Sequence, residues 1–142
     1  MQEVQFFFHD RRIDLKGKKR LKIFILDLFA KEKRDLDRLA YIFCSDKYLL
    51  EMNNRFLKHN FYTDVITFDL GSAGNGTEAE VYLSIDRIKD NAKKIGVPFN
   101  EELHRVIFHG ALHLCGYKDK TKAQQKEMRS KENRYLLKYF NG

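Results

Sequence analysis

The apolar positions of this chain switch repeatedly between the strand period and the helix period. Val4–Phe8 is a short apolar run between polar residues and predicts a strand. A basic, turn-like stretch over Lys16–Arg20 follows. Leu21–Lys33 then carries apolar residues at 21, 24, 25, 28 and 29, the spacing of one helix face. Leu39–Cys44 predicts a second strand. Ser45 is a suitable N-cap for a helix over Asp46–Leu57. Thr63–Leu70 alternates and is β-branched, which predicts a third strand. Gly71–Thr77 lacks the Gly-Lys-Ser/Thr ending of a phosphate-binding loop and predicts a flexible connector. Glu80–Ile85 is the fourth strand, and Asp86–Ile95 a helix with Gly96 past its end. After the break at Pro98, Asn100 is the expected cap of a helix that reaches about Cys115. Glu101 and Glu102 suit its positive end, and Gly116 stops it. The last helix covers Ala123–Phe140, with Met128, Tyr135, Leu136 and Tyr139 on its apolar side. The order β-α-β-α-β-β-α-α-α predicts one α/β (α+β) domain over residues 1–142. Its expected architecture is a small mixed four-stranded sheet packed by about five helices.

Composition narrows the class of protein. Of 142 residues, 43% are hydrophobic and 33% charged, which excludes a wholly disordered chain. The formal net charge is +7 and favours a polyanionic partner. Cys44 and Cys115 each lie in an apolar run and read as buried free thiols in a reducing compartment. There is no basic, apolar leader at the start and no run of 18 apolar residues, so a cytoplasmic protein with no membrane partner is expected.

The chemistry concentrates in Phe108–Lys120, FHGALHLCGYKDK. His109 and His113 are four apart on the predicted helix, so their β-carbons lie about 6 Å apart on one face. Gly116 turns the chain, and Asp119 can return toward the same point. Two imidazoles and one carboxylate leave a fourth tetrahedral position open, as at catalytic zinc. Cys115 points elsewhere and reads as core. His104, five residues before His109, lies about 140° around the helix and reads as a surface residue or an RNA contact. Residue 110 is Gly, so the H-E-x-x-H motif and its built-in base are absent. Glu102 shares the His109 face but lies about 10 Å along the axis, too far for direct base work.

These residues carry a resemblance. H-G-A-L-H-L-C-G-Y at 109–117 resembles the H-G-x-L-H-L-x-G-Y signature of the YbeY family of rRNA-maturation endoribonucleases. Met52-Asn53 and Thr63-Asp64-Val65-Ile66-Thr67-Phe68 resemble its L-N and T-D-V-L-S-F blocks. Glu80-Val81 through Ser84 resembles its G-D-I-x-x-S strand, and the Met128/Glu132 spacing also fits. The resemblance implies a zincin-like fold with one zinc ion per chain. It implies work on ribosomal RNA and the small ribosomal subunit, in 16S 3′-end maturation and ribosome quality control. By position, His109 and His113 become zinc ligands, and Asp119 stands where the family usually has His. Leu57 stands where the family commonly has an Arg linked to cleavage; Arg55, on another face of that helix, is the candidate substitute. His109, with Arg55, forms the expected catalytic set.

Eight basic residues between Lys118 and Lys138 outnumber three acidic ones beside the expected metal. Lys118, Lys120, Lys122, Lys126 and Arg129, with Arg105 on the preceding helix, are the expected RNA contacts. Phe56, Phe61 and Tyr62 are candidates for stacking on exposed bases. The leading expectation is a zinc-dependent endoribonuclease. A non-catalytic, zinc-stabilised ribosome- or rRNA-binding factor is the first alternative, supported by Leu57. A zinc hydrolase such as a peptidase is the second, opposed by Gly110 and the charge.

Overall fold

The computed structural model describes residues 2–72 and 76–142. Its elements, in chain order, are β1 (Glu3–Phe8), α1 (Lys18–Lys31), β2 (Leu36–Cys44), α2 (Asp46–Leu57) and β3 (Val65–Ser72). Then come β4 (Thr77–Ser84), α3 (Ile85–Ile95), α4 (Phe99–Leu114) and α5 (Lys122–Asn141). The four strands form one mixed sheet in the order β1-β2-β4-β3. β1 and β4 each pair parallel with β2, while β3 and β4 pair antiparallel. The expected α+β class and mixed sheet are therefore what the chain forms.

Strand alternation places one face of the sheet in the core. Val4, Leu39, Tyr41, Phe43, Val81 and Leu83 point to that side and are buried. Parallel register sets Phe6 opposite Tyr41 and Phe8 opposite Phe43, and the paired rings stack at 5.6 and 5.2 Å. α4 lies over this layer and is buried nearly all round, through Leu103, Val106, Ile107, Phe108, Ala111 and Leu112. The Tyr41 hydroxyl donates to the Ile107 carbonyl at 3.0 Å and ties α4 to β2. The helix that carries both histidines is thus the most deeply held one, which fixes their position.

Gly110 makes that approach possible. A β-carbon there would lie 2.9 Å from Val81 Cγ1 and 3.6 Å from Thr67 Cγ2. Position 110 faces the sheet, so a Glu in an H-E-x-x-H pattern would collide with β4. Gly110→Val is expected to destabilise the fold by about 1–3 kcal/mol through overpacking. Urea denaturation measures this; an unchanged midpoint would contradict the close approach.

Some boundaries differ from expectation. α1 begins at Lys18 with Gly17 as its N-cap, so part of the basic turn is helical. The connector expected over 71–77 is shorter. β3 reaches Ser72 and β4 starts at Thr77, while residues 73–75 lie outside the described residues. α4 is preceded by Pro98, not capped by Asn100. Proline fixes the extended entry to the helix, and Asn100 falls within the first turn. Ser45 caps α2 as expected, accepting from the Tyr48 amide at 3.1 Å. Thr121 and Gln124 form a reciprocal capping box at the start of α5.

Candidate metal centre

α4 presents His109 and His113 one turn apart, with ring centroids 4.5 Å apart and planes at 87°. The helix ends at Leu114, and Gly116, at φ 104°, takes the left-handed conformation that turns the chain back. The returning segment brings Asp119 Oδ2 to 3.4 Å from His109 Nε2 and 3.3 Å from His113 Nε2. One ligand atom from each residue lies within 4.8 Å of the others, and the three together could hold a metal ion.

The opposite ring nitrogens are already committed. His109 Nδ1 donates to Glu132 Oε2 at 2.5 Å, and His113 Nδ1 donates to the Tyr117 carbonyl at 2.8 Å. Each bond holds its ring so that Nε2 is turned toward Asp119, where it would serve as the ligand atom of a bound metal. Such outer partners orient imidazole ligands at metal sites. The donor set therefore fits a small divalent cation, and two nitrogens with one oxygen suit zinc chemistry.

Charge around the trio is balanced by α5 and the start of β3. Glu132 is buried, yet it faces His109, Arg105 at 3.1 Å and Arg129 at 3.5 Å. Burial pushes its carboxyl up, but these partners outweigh burial and hold it below the usual range. Burial pushes His109 down, but Glu132, Asp119 and Asp64 outweigh it and raise the imidazole. Asp64 is raised chiefly by burial, against the pull of His109. Glu102, buried beside Arg105 at 3.7 Å, is raised by burial as well.

The trio sits between two openings. One, of about 280 Å³, is lined by Asn53, Leu57, His59, Phe61 and Asp64. The other, of about 720 Å³, is lined on its α5 side by Lys122, Lys126 and Arg129. Lys118 and Lys120 flank Asp119 and are exposed. Arg105 is only 16% exposed and its charge is taken up by Glu102 and Glu132. Arg55 projects from α2 over the Phe56 ring at 6.0 Å, and it is Leu57 that lines the cavity. Phe61 and Tyr62 are both more than half exposed; Phe61 stacks on His59 at 5.0 Å, and the Arg87 guanidinium lies 4.9 Å over Tyr62. His9 leans on Tyr48 at 4.0 Å.

One expectation is overturned. His104 is not a surface residue; it is 3% exposed and packs against Phe108, Tyr139 and Phe140. The helical turn that removes it from the metal face delivers it to the α4–α5 interface. Both cysteines are free, but only Cys44 is buried and Cys115, expected in the core, is half-buried at the end of α4; burial pushes each thiol up to about 12.

Three contributors entered the sequence reading only as positions in the resembling blocks, with no role at the site. Glu132 is an acidic residue on the apolar stripe of α5, four after Met128. Asn53 is similarly buried on α2, where its amide donates to the Phe61 carbonyl at 2.9 Å and holds the cavity wall. A polar side chain on an apolar stripe was the available signal for both. Asp64 precedes β3, and its only signal was its place in the Thr63-Asp64-Val65 block.

A further layer stands behind His113. Glu32 accepts from the Tyr117 hydroxyl at 2.6 Å and from the Tyr135 hydroxyl at 2.5 Å, with Lys131 Nζ at 3.4 Å. Burial raises this carboxyl, but the tyrosines and Lys131 outweigh it and leave it depressed. A depressed carboxyl stabilises the fold fully above its unfolded-state pKa. That stability is lost as pH falls through the folded value. Glu32→Gln is expected to cost about 1–3 kcal/mol at neutral pH, with the gap to the parent narrowing on acidification. Urea titrations at neutral and acidic pH test this; a gap that widens in acid would contradict the assignment.

The sequence pattern of the Endoribonuclease YbeY family matches residues 7–140. Endoribonuclease YbeY of Cytophaga hutchinsonii is 45% identical over 136 residues, covering 95% of each chain. That of Flavobacterium psychrophilum is 46% identical over 112 residues, 79% of each chain. The solution structure of TM1509 from Thermotoga maritima superposes with a TM-score of 0.61 at 26% identity, over 98% of this chain and 90% of that one. The match runs through the sheet, α4 and the turn that returns Asp119 to the histidines, and the chain belongs to the Endoribonuclease YbeY family.

Proposed function

We propose that this chain is a zinc-dependent endoribonuclease that matures the 3′ end of small-subunit ribosomal RNA and serves ribosome quality control. The observation that carries this reading is the convergence of His109, His113 and Asp119, with both Nδ1 atoms held so that both Nε2 atoms face Asp119. Zinc bound there supplies a Lewis acid for phosphodiester hydrolysis. Glu132 and the Tyr117 carbonyl hold the imidazoles in place. Lys122, Lys126 and Arg129 attract the phosphate backbone toward the same opening, and Lys118 and Lys120 extend that surface. His59 and Phe61, stacked at the other opening, offer ring faces to an unpaired base.

The positive charge that stabilises the cleaved phosphate comes from the α5 side in this reading. Leu57 supplies none, Arg105 is neutralised by two glutamates, and Arg55 stands outside the cavity lining. The protein works in the cytoplasm on the small subunit. Among the described residues no helix is long and apolar enough to cross a membrane. Leu57 in the cavity wall favours a second reading, a non-catalytic rRNA-binding factor.

A precursor fragment spanning the 3′ end of small-subunit rRNA, presented free and on assembled subunits, separates the two. Cleavage should occur in at least one setting, stop on chelation and return with zinc. RNA binding without metal-dependent cleavage in either setting would establish the binding factor instead.

A further inference from the structure

The basic turn before α1 has no part in the metal centre. Residues 11–22 hold seven basic side chains and one acidic one, a net +6 of the chain's formal +7, so the rest of the chain together contributes +1. Arg11, Arg12, Lys16, Lys18, Lys19 and Arg20 are exposed and Lys22 is half-buried. None of the seven lines a cavity around His109.

Little of this charge is compensated. Asp86 takes up Arg11 at 3.1 Å, and Asp14 lies 4.0 Å from Lys16 with both side chains in solvent. The other contacts are to neutral groups. Arg12 and Lys18 lie 6.0 and 5.5 Å over the Phe8 ring, and Lys22 lies 5.9 Å over Phe6. Arg20 donates to the Tyr139 carbonyl and lies 4.1 Å over its ring. These rings hold the stems in place and leave the charges standing. Among the described residues, Arg12, Lys18, Lys19, Arg20 and Lys22 have no carboxylate within ion-pair distance.

The charge continues onto the end of α5. Arg134 and Lys138 are exposed there, and Lys31 and Arg134 hold the Lys138 ammonium below its usual range. Like charges are gathered on this side of the molecule, not spread over it. Tyr139, which Arg20 touches, lies 13 residues along α5 from Lys126 at the metal opening, about 20 Å at the rise of a helix.

We infer that the Arg11–Lys22 surface binds the phosphate backbone of the RNA at a point remote from the metal centre, as a second anchor for a long strand. The inference rests on the reading that RNA is the substrate, which makes the partner itself a polyanion. An array of exposed cations fits a chain of phosphates and carries no preference for sequence. An anionic membrane would also need apolar side chains to enter it. On α1 these are spent on the core through Leu21, Ile25, Leu28 and Phe29, and Ile23 is the one large apolar residue exposed there.

The test is the salt dependence of binding to a 30-nucleotide single-stranded RNA, measured by fluorescence anisotropy on the full chain with a chelator present, so that cleavage plays no part. Lys18→Glu/Lys19→Glu puts acid in the first turn of α1, where the helix dipole favours it, so the fold should hold. This pair should weaken binding at least about tenfold at 0.1 M salt and lower the slope of log K against log salt by about 1.4, two phosphate contacts on a single strand. Lys33→Glu/Lys94→Glu, two exposed lysines elsewhere with the same change in net charge, should leave both values near those of the parent. Equal weakening by the two pairs, or none by the first, would overturn the inference while leaving RNA as the substrate. A parent chain that binds no RNA would overturn both. Capture by phosphatidylglycerol vesicles that the first pair abolishes, with RNA binding unchanged, would assign the surface to a membrane instead.

Discussion

Replacing His113 with alanine should abolish metal retention and lower RNA cleavage by at least about a thousand-fold. Lewis-acid stabilisation is worth several kcal/mol, and each 1.36 kcal/mol is a factor of ten in rate, so roughly 4 kcal/mol gives that loss. The fold should survive. His113 is one-quarter exposed and its polar contacts are to the Tyr117 carbonyl and Asp119. Circular dichroism and urea denaturation will show whether loss of activity is separate from loss of structure. A folded, metal-free, fully active variant would exclude this site from the reaction.

Glu132→Ala should have the next largest effect, on two readouts at once. Removing the carboxylate frees the His109 ring from its only described side-chain acceptor at Nδ1 and leaves Arg105 to Glu102 alone. Loss of such an outer partner typically weakens metal affinity by about 10–100-fold. It also breaks a buried ion pair, at a cost of about 3 kcal/mol in stability. Competition against a chromophoric chelator gives the first number and urea denaturation the second. Lost stability with unchanged metal affinity would make Glu132 a purely structural anchor of α5 on α4.

The site was legible in sequence where local geometry decides. His109 and His113 share a face because four residues make about one helical turn, and Gly116 is the residue type that ends a helix and turns the chain. The remainder depended on which element lands beside which. Glu132 lies on α5, 23 residues from His109, and only the packing of α5 on α4 makes them partners. The same packing buries His104, whose place about 140° around the helix from His109 suggested solvent. Arg105 counts as free positive charge in a sequence sum, yet two glutamates neutralise it in the fold. Among the elements, strand ends were the least legible. β3 continues past the predicted end at Leu70 through Gly71-Ser72 at an exposed sheet edge, where no hydrophobic alternation marks it. The helices were clearer because their apolar stripes must meet one continuous core.

Asp119 is the residue on which the metal assignment turns, since it replaces the imidazole usual at its position in the resembling signature. Native mass spectrometry of the protein as purified, beside Asp119→Ala, tests it most directly. One zinc ion is expected on the parent chain and none on the variant, both folded. Zinc retained by Asp119→Ala, or a parent chain that takes up no metal when zinc is supplied, would overturn the assignment of Asp119 as a ligand.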